Sequence, residues 1–154
     1  MKVVVRRMEA EDVPQVVELE NRWLYLSKWG GNGYLSVMRD PRVYTCLVAE
    51  TGEPDPPQIA GLAVLAQLLD HCELCNLIVL PEYLSKGVGY QLLQYCLEVA
   101  RHFRIPRMLL EVRKSNQRAI DFYKRNEFRV ISERKNYYAS PREHAWVMER
   151  AVEL

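Results

Sequence analysis

Apolar and polar residues follow two kinds of spacing along the chain, and these divide it into strands and helices. Runs rich in β-branched and apolar residues predict strands at about 2–7, 43–50, 58–69, 73–80, 107–113, 128–135 and 145–150. Apolar residues at helical spacing predict helices at about 12–26, 33–39, 89–103 and 116–125. In the first helix, Glu20 is the only polar residue on an otherwise apolar face.

The order of these elements is β-α-α-β-β-β-α-β-α-β-β, which does not alternate strictly. A doubly wound fold would alternate strands and helices throughout. The sequence therefore predicts an α/β (α+β) domain with a mixed sheet and helices on both faces. The proline-rich stretch 51–58 is predicted to be a hairpin loop, because proline lacks the N–H that a strand ladder needs.

Length and composition narrow the class of protein. The 154 residues fit a single domain, 1–154. A net charge of +1 argues against general nucleic-acid binding, which needs a strongly positive surface. No apolar run reaches the roughly 20 residues of a membrane-spanning helix, and the N-terminus lacks a secretory signal pattern. Cys46, Cys72, Cys75 and Cys96 show no disulfide-framework spacing, which favours a cytoplasmic protein.

The segment 76–93 combines the end of a strand, a short polar loop and the start of a strongly amphipathic helix. Gly87 and Gly89 stand at the helix start, where the backbone can approach a ligand closely. Free N–H groups and the positive end of the helix dipole favour a phosphate at such a position. The glycines match neither the dinucleotide-binding nor the P-loop pattern, so a tight turn into a helix is an equal alternative.

A second segment, 109–128, carries polar residues on a strand and on the helix that follows it. Strand alternation turns Glu111 away from the apolar face, and a solvent-exposed glutamate is the alternative interpretation. Asn116 is a candidate N-cap. Tyr123 lies about two helical turns after Asn116, so the two share a face. A core tyrosine with its hydroxyl at the rim is the alternative there.

Together the two segments resemble the GNAT acyltransferase superfamily. That family carries a loop of the form Gln/Arg-x-x-Gly-x-Gly/Ala before a helix, and later a helix of the form Asn-x-x-Ala-x-x-x-Tyr. Here the loop is 84–89 and the helix start is 116–123. The resemblance implies the GNAT fold, with a mostly antiparallel central sheet. Residues 110–123, 134–138 and 144–148 are further similar to the RimI-type ribosomal-protein-alanine N-acetyltransferases.

The resemblance implies an acetyl-CoA-dependent N-acetyltransferase that acts on the α-amino group of a protein N-terminus, without a metal. The amine would attack the thioester directly. Glu111 is implied as the base, and Tyr123 as the group that protonates or hydrogen-bonds the leaving thiolate. We expect a monomer or weak dimer that binds neither nucleic acid nor membrane.

The resemblance also implies the residues of both binding sites. The acetyl-CoA site is expected at Leu77, Ile78, Val79, Leu84, Ser85, Lys86, Gly87, Val88, Gly89, Tyr90, Asn116 and Tyr123. Backbone 77–79 would hold the pantetheine arm like an added strand, with the Val79 N–H on the thioester carbonyl. Trp29, Tyr137 and Tyr138 are implied at the acceptor groove, with the tyrosines in the last turn. The two tyrosines packing on each other is the alternative.

The sequence departs from the family pattern at three places, one of which is Ser85 in place of a frequent glycine. Leu84 stands where the family has Gln or Arg, which removes one side-chain contact to phosphate. Asn126 and Glu127 stand where the family often has one residue and then Gly, before Phe128. Because asparagine tolerates the left-handed conformation, we expect Asn126 to end the helix.

Cysteine and histidine residues suggest no further chemistry. Cys72 and Cys75 form one Cys-x-x-Cys, which lacks the second pair of ligands that a structural zinc needs. At a strand start their side chains point to opposite faces, so we interpret them as buried thiols. His102 and His144 are interpreted as structural residues with no evident partner.

Two other functions stay open. One is acetylation of a small amine such as a polyamine, an amino acid or a drug, which an enclosed acidic pocket would favour. The other is a GNAT module that binds acyl-CoA without turnover, which the departure at Leu84 permits. Retention of both Glu111 and Tyr123 argues against the second alternative.

Overall fold

The computed structural model describes residues 2–24, 28–53 and 55–154. The strands are β1 Val3–Arg7, β2 Tyr44–Thr51, β3 Ile59–Gln67, β4 Cys72–Val79, β5 Arg107–Arg113, β6 Arg129–Ala139 and β7 Arg142–Ala151. The helices are α1 Val13–Asn21, α2 Gly30–Met38, α3 Val88–His102 and α4 Gln117–Arg125, with 3₁₀ turns at Ala10–Asp12 and Pro81–Tyr83. The order of helices and strands is the predicted one.

Within the described ranges, the strands form one sheet in the order β1-β2-β3-β4-β5-β7-β6. Neighbouring strands are antiparallel except β4 and β5, which are parallel because α3 crosses between them. Helices α1 and α2 pack on one face of the sheet, and α3 and α4 on the other, over two separate clusters of buried apolar residues. The mixed, mostly antiparallel sheet is thus confirmed. The loop 51–58 joins the hairpin of β2 and β3, as predicted.

Four predicted boundaries are wrong by three or more residues, and one of them is the start of β7, which lies at Arg142 and not near Ala145. Helix α1 ends at Asn21 rather than near Leu26, which lies outside the described residues. Helix α2 begins at Gly30, three positions earlier than predicted. Strand β6 continues to Ala139 instead of ending near Lys135. Because β6 is an edge strand and almost wholly exposed, its sequence shows no alternation of burial that would mark its end.

The carboxylate of Glu20 fixes the start of α2. The side chain is only 1 % exposed. It accepts hydrogen bonds from the backbone N–H groups of Trp29 and Gly30, at 2.9 and 3.2 Å, and from the Tyr34 hydroxyl at 2.7 Å. Glu20, the polar residue on the apolar face of α1, therefore accepts hydrogen bonds from N–H groups at the start of α2, where the N-cap residue Trp29 supplies no side-chain cap.

Helix α4 ends in a Schellman motif with Asn126 as its C-cap, so the helix ends where predicted, although Asn126 is not the left-handed residue. Phe128 donates its N–H to the Tyr123 carbonyl at 3.0 Å, and Glu127 donates to the Lys124 carbonyl at 3.2 Å. The residue in the left-handed conformation is Glu127, with φ of 71°, whereas Asn126 has φ of −106°. The position that the family fills with glycine is therefore the one that needs a positive φ here too.

Strands β4 and β5 pair at one end and then separate. The last pair in their register is Glu73 beside Leu109. Two residues later β4 carries a bulge, in which Cys75 is the extra residue relative to β3. Because a bulge bends its strand, β4 diverges from β5 beyond this point. The result is a cleft beside the backbone of 77–79. None of the described helices is both long and apolar enough to cross a bilayer.

Candidate active site

A cavity of about 1010 Å³ lies against the cleft between β4 and β5. It is lined by residues that follow α1, by the end of β4, by the loop before α3, and by α4. The lining includes these predicted donor-site residues: Leu77, Ile78, Val79, Leu84, Ser85, Gly87, Gly89, Tyr90, Asn116 and Tyr123. The fold therefore brings the two sequence motifs together in one cavity.

Two predicted donor-site residues do not line the cavity. Val88 is only 1 % exposed and packs in the core under α3. Lys86 is exposed, and its ammonium lies 5.7 Å from the centre of the Tyr83 ring. Neither side chain lines the cavity, so we expect these two residues to offer a ligand their backbone.

The start of α3 presents free backbone N–H groups to the cavity. Gly87 precedes the helix with φ of 84°, and no side chain in the described part of the chain caps the helix start. Since Gln91 makes the first helical bond, to the Gly87 carbonyl at 3.0 Å, the N–H groups of 88–90 have no helical partner. We call these groups the uncapped start of α3. They and the helix dipole favour an anion here.

Among the described residues, four arginines line the cavity: Arg22, Arg113, Arg118 and Arg125. The Arg113 guanidinium is held by the Glu143 carboxylate at 3.3 Å and by the Pro141 carbonyl at 2.8 Å. Arg22 is bound to Glu82 by two hydrogen bonds of 2.7 and 3.2 Å. Leu84, at the position of the missing Gln or Arg, contributes no charge. Arg118 and Arg125 therefore supply the cationic groups that a polyanionic ligand needs, and they come from α4 instead of the glycine loop.

The end of β4 offers backbone groups to the cleft. Leu80 donates its N–H to the Ala60 carbonyl at 2.8 Å, towards β3. Because successive peptide groups of a strand alternate in direction, those of Val79 and Leu77 point away from β3. The Val79 carbonyl accepts the indole N–H of Trp23 at 3.0 Å. An extended ligand could add to this edge as a strand does.

Tyr123 is 9 % exposed and lines the cavity from α4. Its ring lies edge-on between those of Phe122 and Phe128, with ring centres 5.4 Å apart in both pairs. Burial raises the pKa of Tyr123. Its hydroxyl stays protonated at neutral pH and can donate to a group in the cavity. Asn116 caps α4 as predicted, since its Oδ1 accepts the Ala119 N–H at 3.2 Å.

Glu111 lies on the opposite face of the sheet from Tyr123, outside the cavity lining. Its Oε1 is 3.7 Å from Nε of Arg134. Burial raises the pKa of Glu111, Arg134 lowers it, and the neighbouring carboxylate of Glu73 raises it. Burial, Glu73 and Glu111 together raise the pKa of the Cys75 thiol on β4. Glu111 therefore lies next to β4, on the far side of the cleft from Tyr123.

Tyr137 and Tyr138 lie at the end of β6, and the prediction that they occupy the turn is wrong. The pairing of β6 with β7 is irregular after Arg134 and resumes at Tyr138. The two rings are 5.0 Å apart at 83°. The Arg113 guanidinium lies 4.2 Å from the Tyr138 ring centre. Arg134 connects the pair to Glu111, because its guanidinium lies 5.3 Å from the Tyr137 ring centre and its Nε lies 3.7 Å from Glu111 Oε1. Burial and then Glu111 raise the pKa of Tyr137.

Trp29 immediately precedes α2 and is not part of the cavity lining. Its ring lies 5.6 Å from the ring of Tyr34, within the cluster under α1 and α2. The structure therefore does not bring Trp29 together with the donor-site residues.

Trp23 and Arg118 line the cavity, but the sequence did not indicate them as site residues. The predicted first helix, at about 12–26, included Trp23, whereas this residue follows the end of α1. The Arg118 guanidinium lies 4.8 Å from the centre of the Trp23 ring. The one available signal for Arg118 was its place inside the Asn-x-x-Ala motif.

The cysteines and His144 have structural surroundings. All four cysteines are free thiols. Cys72 and Cys75 pack in different clusters, as strand alternation predicted. Among the described residues, no group of three His, Cys, Asp or Glu side chains is arranged to hold a metal. His144 does have a partner, contrary to expectation, because its Nδ1 accepts the Asn136 N–H at 2.8 Å.

Comparisons with known proteins agree with the motifs. The family model "Acetyltransferase (GNAT) family" matches residues 5–128. A putative ribosomal protein bS18-alanine N-acetyltransferase of Bacillus subtilis (strain 168) is 28% identical over 148 residues, covering 96% of this chain and 94% of that protein. A peptidyl-lysine N-acetyltransferase of Escherichia coli (strain K12) is 26% identical over 132 residues, covering 83% of this chain and 84% of that protein.

One solved structure extends the likeness to three dimensions. The crystal structure of the ribosomal-protein-S18-alanine N-acetyltransferase from Escherichia coli superposes with a TM-score of 0.84 and 25% sequence identity. The match covers 99% of this chain and 96% of that chain. The resemblance drawn from the two motifs is confirmed.

Proposed function

The chain belongs to the acetyltransferase (GNAT) family, and we propose that it transfers an acetyl group from acetyl-CoA to the α-amino group of a protein N-terminus. One observation carries the proposal: a single cavity joins the uncapped start of α3 to the open backbone edge of β4. The likeness to two bS18-alanine N-acetyltransferases supports the α-amino acceptor.

The residues present fit acetyl-CoA. The uncapped start of α3 and the lining arginines suit the pyrophosphate. The backbone of Leu77 to Val79, which we call the donor seat, suits the two amides of the pantetheine arm, since its peptide groups face the cleft. When bound, acetyl-CoA supplies the activated acetyl thioester. In this proposal the Val79 N–H hydrogen-bonds the thioester carbonyl.

Glu111 acts as the base. An α-amino group has a pKa of about 7.7–8.0, so at neutral pH it is mostly protonated and must lose a proton before it can attack. Burial raises the pKa of Glu111, which brings the carboxylate closer in basicity to the amine it serves. The proton is taken up by Glu111 directly or through a water molecule.

Tyr123 acts on the other side of the cleft. Its hydroxyl is protonated and lines the cavity. It donates a hydrogen bond or a proton to the thiolate as this leaves. A thiol has a pKa near 8.5, so protonation assists the leaving group without being indispensable.

The acceptor reaches Glu111 from the face that carries Tyr137 and Tyr138. This approach is open, because Tyr137 is 47 % exposed and the Arg134 side chain is 56 % exposed. An open surface accommodates a polypeptide, whereas a small amine needs an enclosed pocket for affinity. The geometry therefore favours a protein acceptor. A role for Trp29 stays a prediction.

Mass spectrometry of the product tests the proposed acceptor. The substrate is one peptide that carries a free N-terminal alanine and an internal lysine, incubated with the protein and acetyl-CoA. We expect the fragment ions to place the acetyl group on the α-amino nitrogen. Acetylation of lysine alone would replace the proposal by the activity named for the peptidyl-lysine relative.

Absence of product, despite binding of acetyl-CoA, would favour a small-amine acceptor or a module without turnover. A polyamine and a free amino acid, each assayed with the same protein, distinguish these two alternatives.

A further inference from the structure

Trp23 forms a hydrogen bond with the backbone of the donor seat. Its indole Nε1 donates to the Val79 carbonyl at 3.0 Å, across 56 positions of sequence. The residue follows α1, lines the cavity, and is partly buried against the cluster under α1 and α2. The Val79 carbonyl is therefore already satisfied by a side chain of the same protein.

The carbonyl that Trp23 occupies is one of the groups that the donor seat would offer. Leu80 is bonded to β3, so the Val79 and Leu77 peptide groups point into the cleft. A ligand that adds along a strand edge uses both the N–H and the carbonyl of such residues. The indole N–H thus stands where an amide N–H of the pantetheine arm would stand.

The indole is held in this position from two sides. The Arg118 guanidinium of α4 lies 4.8 Å from the Trp23 ring centre, on the opposite wall of the cavity from β4. The preceding residue, Arg22, is tied to Glu82 in the 3₁₀ turn after β4 by hydrogen bonds of 2.7 and 3.2 Å. Residues 22–24, which we call the strap, therefore reach from α1 across the donor seat towards α4.

We propose that Trp23 is a residue of the donor site whose indole N–H competes with the pantetheine arm for the Val79 carbonyl. The inference rests on the proposed function, because it takes the donor seat to bind acetyl-CoA. When the arm binds, the Trp23–Val79 hydrogen bond breaks and an arm amide takes the carbonyl. The ring stays against Arg118 and contributes to the wall of the site.

The test measures the affinity of wild-type protein and of the Trp23→Phe variant for coenzyme A by calorimetry. Phenylalanine keeps an aromatic ring beside Arg118 but has no N–H. Since a net intramolecular hydrogen bond contributes about 0.5–1.5 kcal/mol, we expect Trp23→Phe to bind coenzyme A roughly 2- to 10-fold more tightly. Trp146→Phe, on β7 and outside the cavity lining, is the matched control and should bind like the wild type.

A second variant makes Trp23 the sole tryptophan. The chain has three tryptophans, so the double substitution Trp29→Phe and Trp146→Phe leaves Trp23 as the only indole emitter. We expect its emission to shift when coenzyme A is added, because the indole loses its bond to Val79. This measurement does not depend on the stability of Trp23→Phe.

Two results would contradict the proposed competition between Trp23 and the pantetheine arm. One is that folded Trp23→Phe binds coenzyme A no more tightly than the wild type. The other is that the Trp23 emission of the double variant is unchanged at saturating coenzyme A. If neither the wild type nor any variant binds coenzyme A, the proposed function itself fails, which is a different outcome from failure of the role of Trp23.

Discussion

Glu111 is the residue on which the proposed chemistry depends most. It projects from the middle of the sheet, where burial and the Glu73 carboxylate favour its neutral form, while Arg134 favours its charged form. These opposed influences leave a carboxyl group with a raised pKa beside the open tyrosine pair. The arrangement is typical of a residue tuned for proton transfer.

Replacing Glu111 by glutamine removes the base and keeps the shape of the side chain. We expect Glu111→Gln to lower kcat by about 100-fold or more, because proton removal from the ammonium is then unassisted. Its affinity for acetyl-CoA, measured by calorimetry, should not change, since Glu111 lies outside the cavity.

Glu149→Gln is the matched control. Glu149 lies on β7, opposite Leu109 of β5, and forms an ion pair with Arg107. Wild-type turnover in Glu111→Gln would remove Glu111 from the mechanism.

Removing Arg134 should change the pH dependence of the reaction. Arg134 lowers the pKa of Glu111, so Arg134→Gln should raise that pKa. The base is then active only at higher pH, and the acidic limb of the profile of kcat/KM should move to higher pH. Arg134→Lys keeps the charge and should move the limb less. A limb that stays in place, or moves to lower pH, would show that Glu111 is not the group that titrates.

At the scale of single elements, α3 is the helix that the proposed site depends on. Its start lacks a side-chain cap, and Gly89 allows close approach of a ligand to the backbone. A Cβ built at Gly89 would meet Phe122 at 3.5 Å, an ordinary contact, and φ there is not positive. Substitution at Gly89 is therefore compatible with folding, and its effect falls on the ligand.

Gly89→Glu places a carboxylate at the end of α3 where we propose that the pyrophosphate binds. We expect binding of acetyl-CoA, measured by calorimetry, to be abolished, because the carboxylate repels the pyrophosphate and takes up the free N–H groups. Gly89→Gln has the same size without the charge and should weaken binding less. An unchanged affinity in Gly89→Glu would contradict the assignment of phosphate to this helix start.

The end of α4 offers a test of stability. Glu127 holds a left-handed conformation that costs a non-glycine residue roughly 1–2 kcal/mol. Glycine removes this cost but loses more conformational entropy on folding, which offsets part of the gain. We therefore expect Glu127→Gly to raise the free energy of unfolding, measured in urea, by about 1 kcal/mol.

Glu127→Ala is the control, because it also removes the carboxylate that lies 3.6 Å from the buried Arg150 guanidinium, and it keeps the Cβ. If Glu127→Gly is no more stable than Glu127→Ala, the backbone strain is not the reason.

Sequence patterns were informative where an element buries one face, and much less so where it does not. The apolar face of α3 and the cap at Asn116 gave correct helices. The end of β6 was missed because an edge strand exposed on both faces has no periodic burial. The start of α2 was missed because its N–H groups are held by Glu20, a residue of another helix.

At the scale of the whole molecule, β4 and β5 diverge and open a cleft between the two faces of the sheet. The sequence predicted residues on each face but not the cleft that connects them. The donor cavity lies on the α3 side and Glu111 on the other. Motif spacing predicted backbone groups that the structure places in the cavity lining, because most of them belong to the continuous segment 77–90. The hydrogen bond between Trp23 and Val79 could not be predicted from the sequence, since it joins residues that are far apart in the chain.

The most direct test of the account is the release of free thiol from acetyl-CoA in the presence of two peptides. One peptide has a free N-terminal alanine, and the other has a blocked N-terminus and an internal lysine. The account predicts turnover with the first peptide alone. Turnover with the blocked peptide alone, or with neither although acetyl-CoA binds, would contradict acetyl transfer to a protein N-terminus.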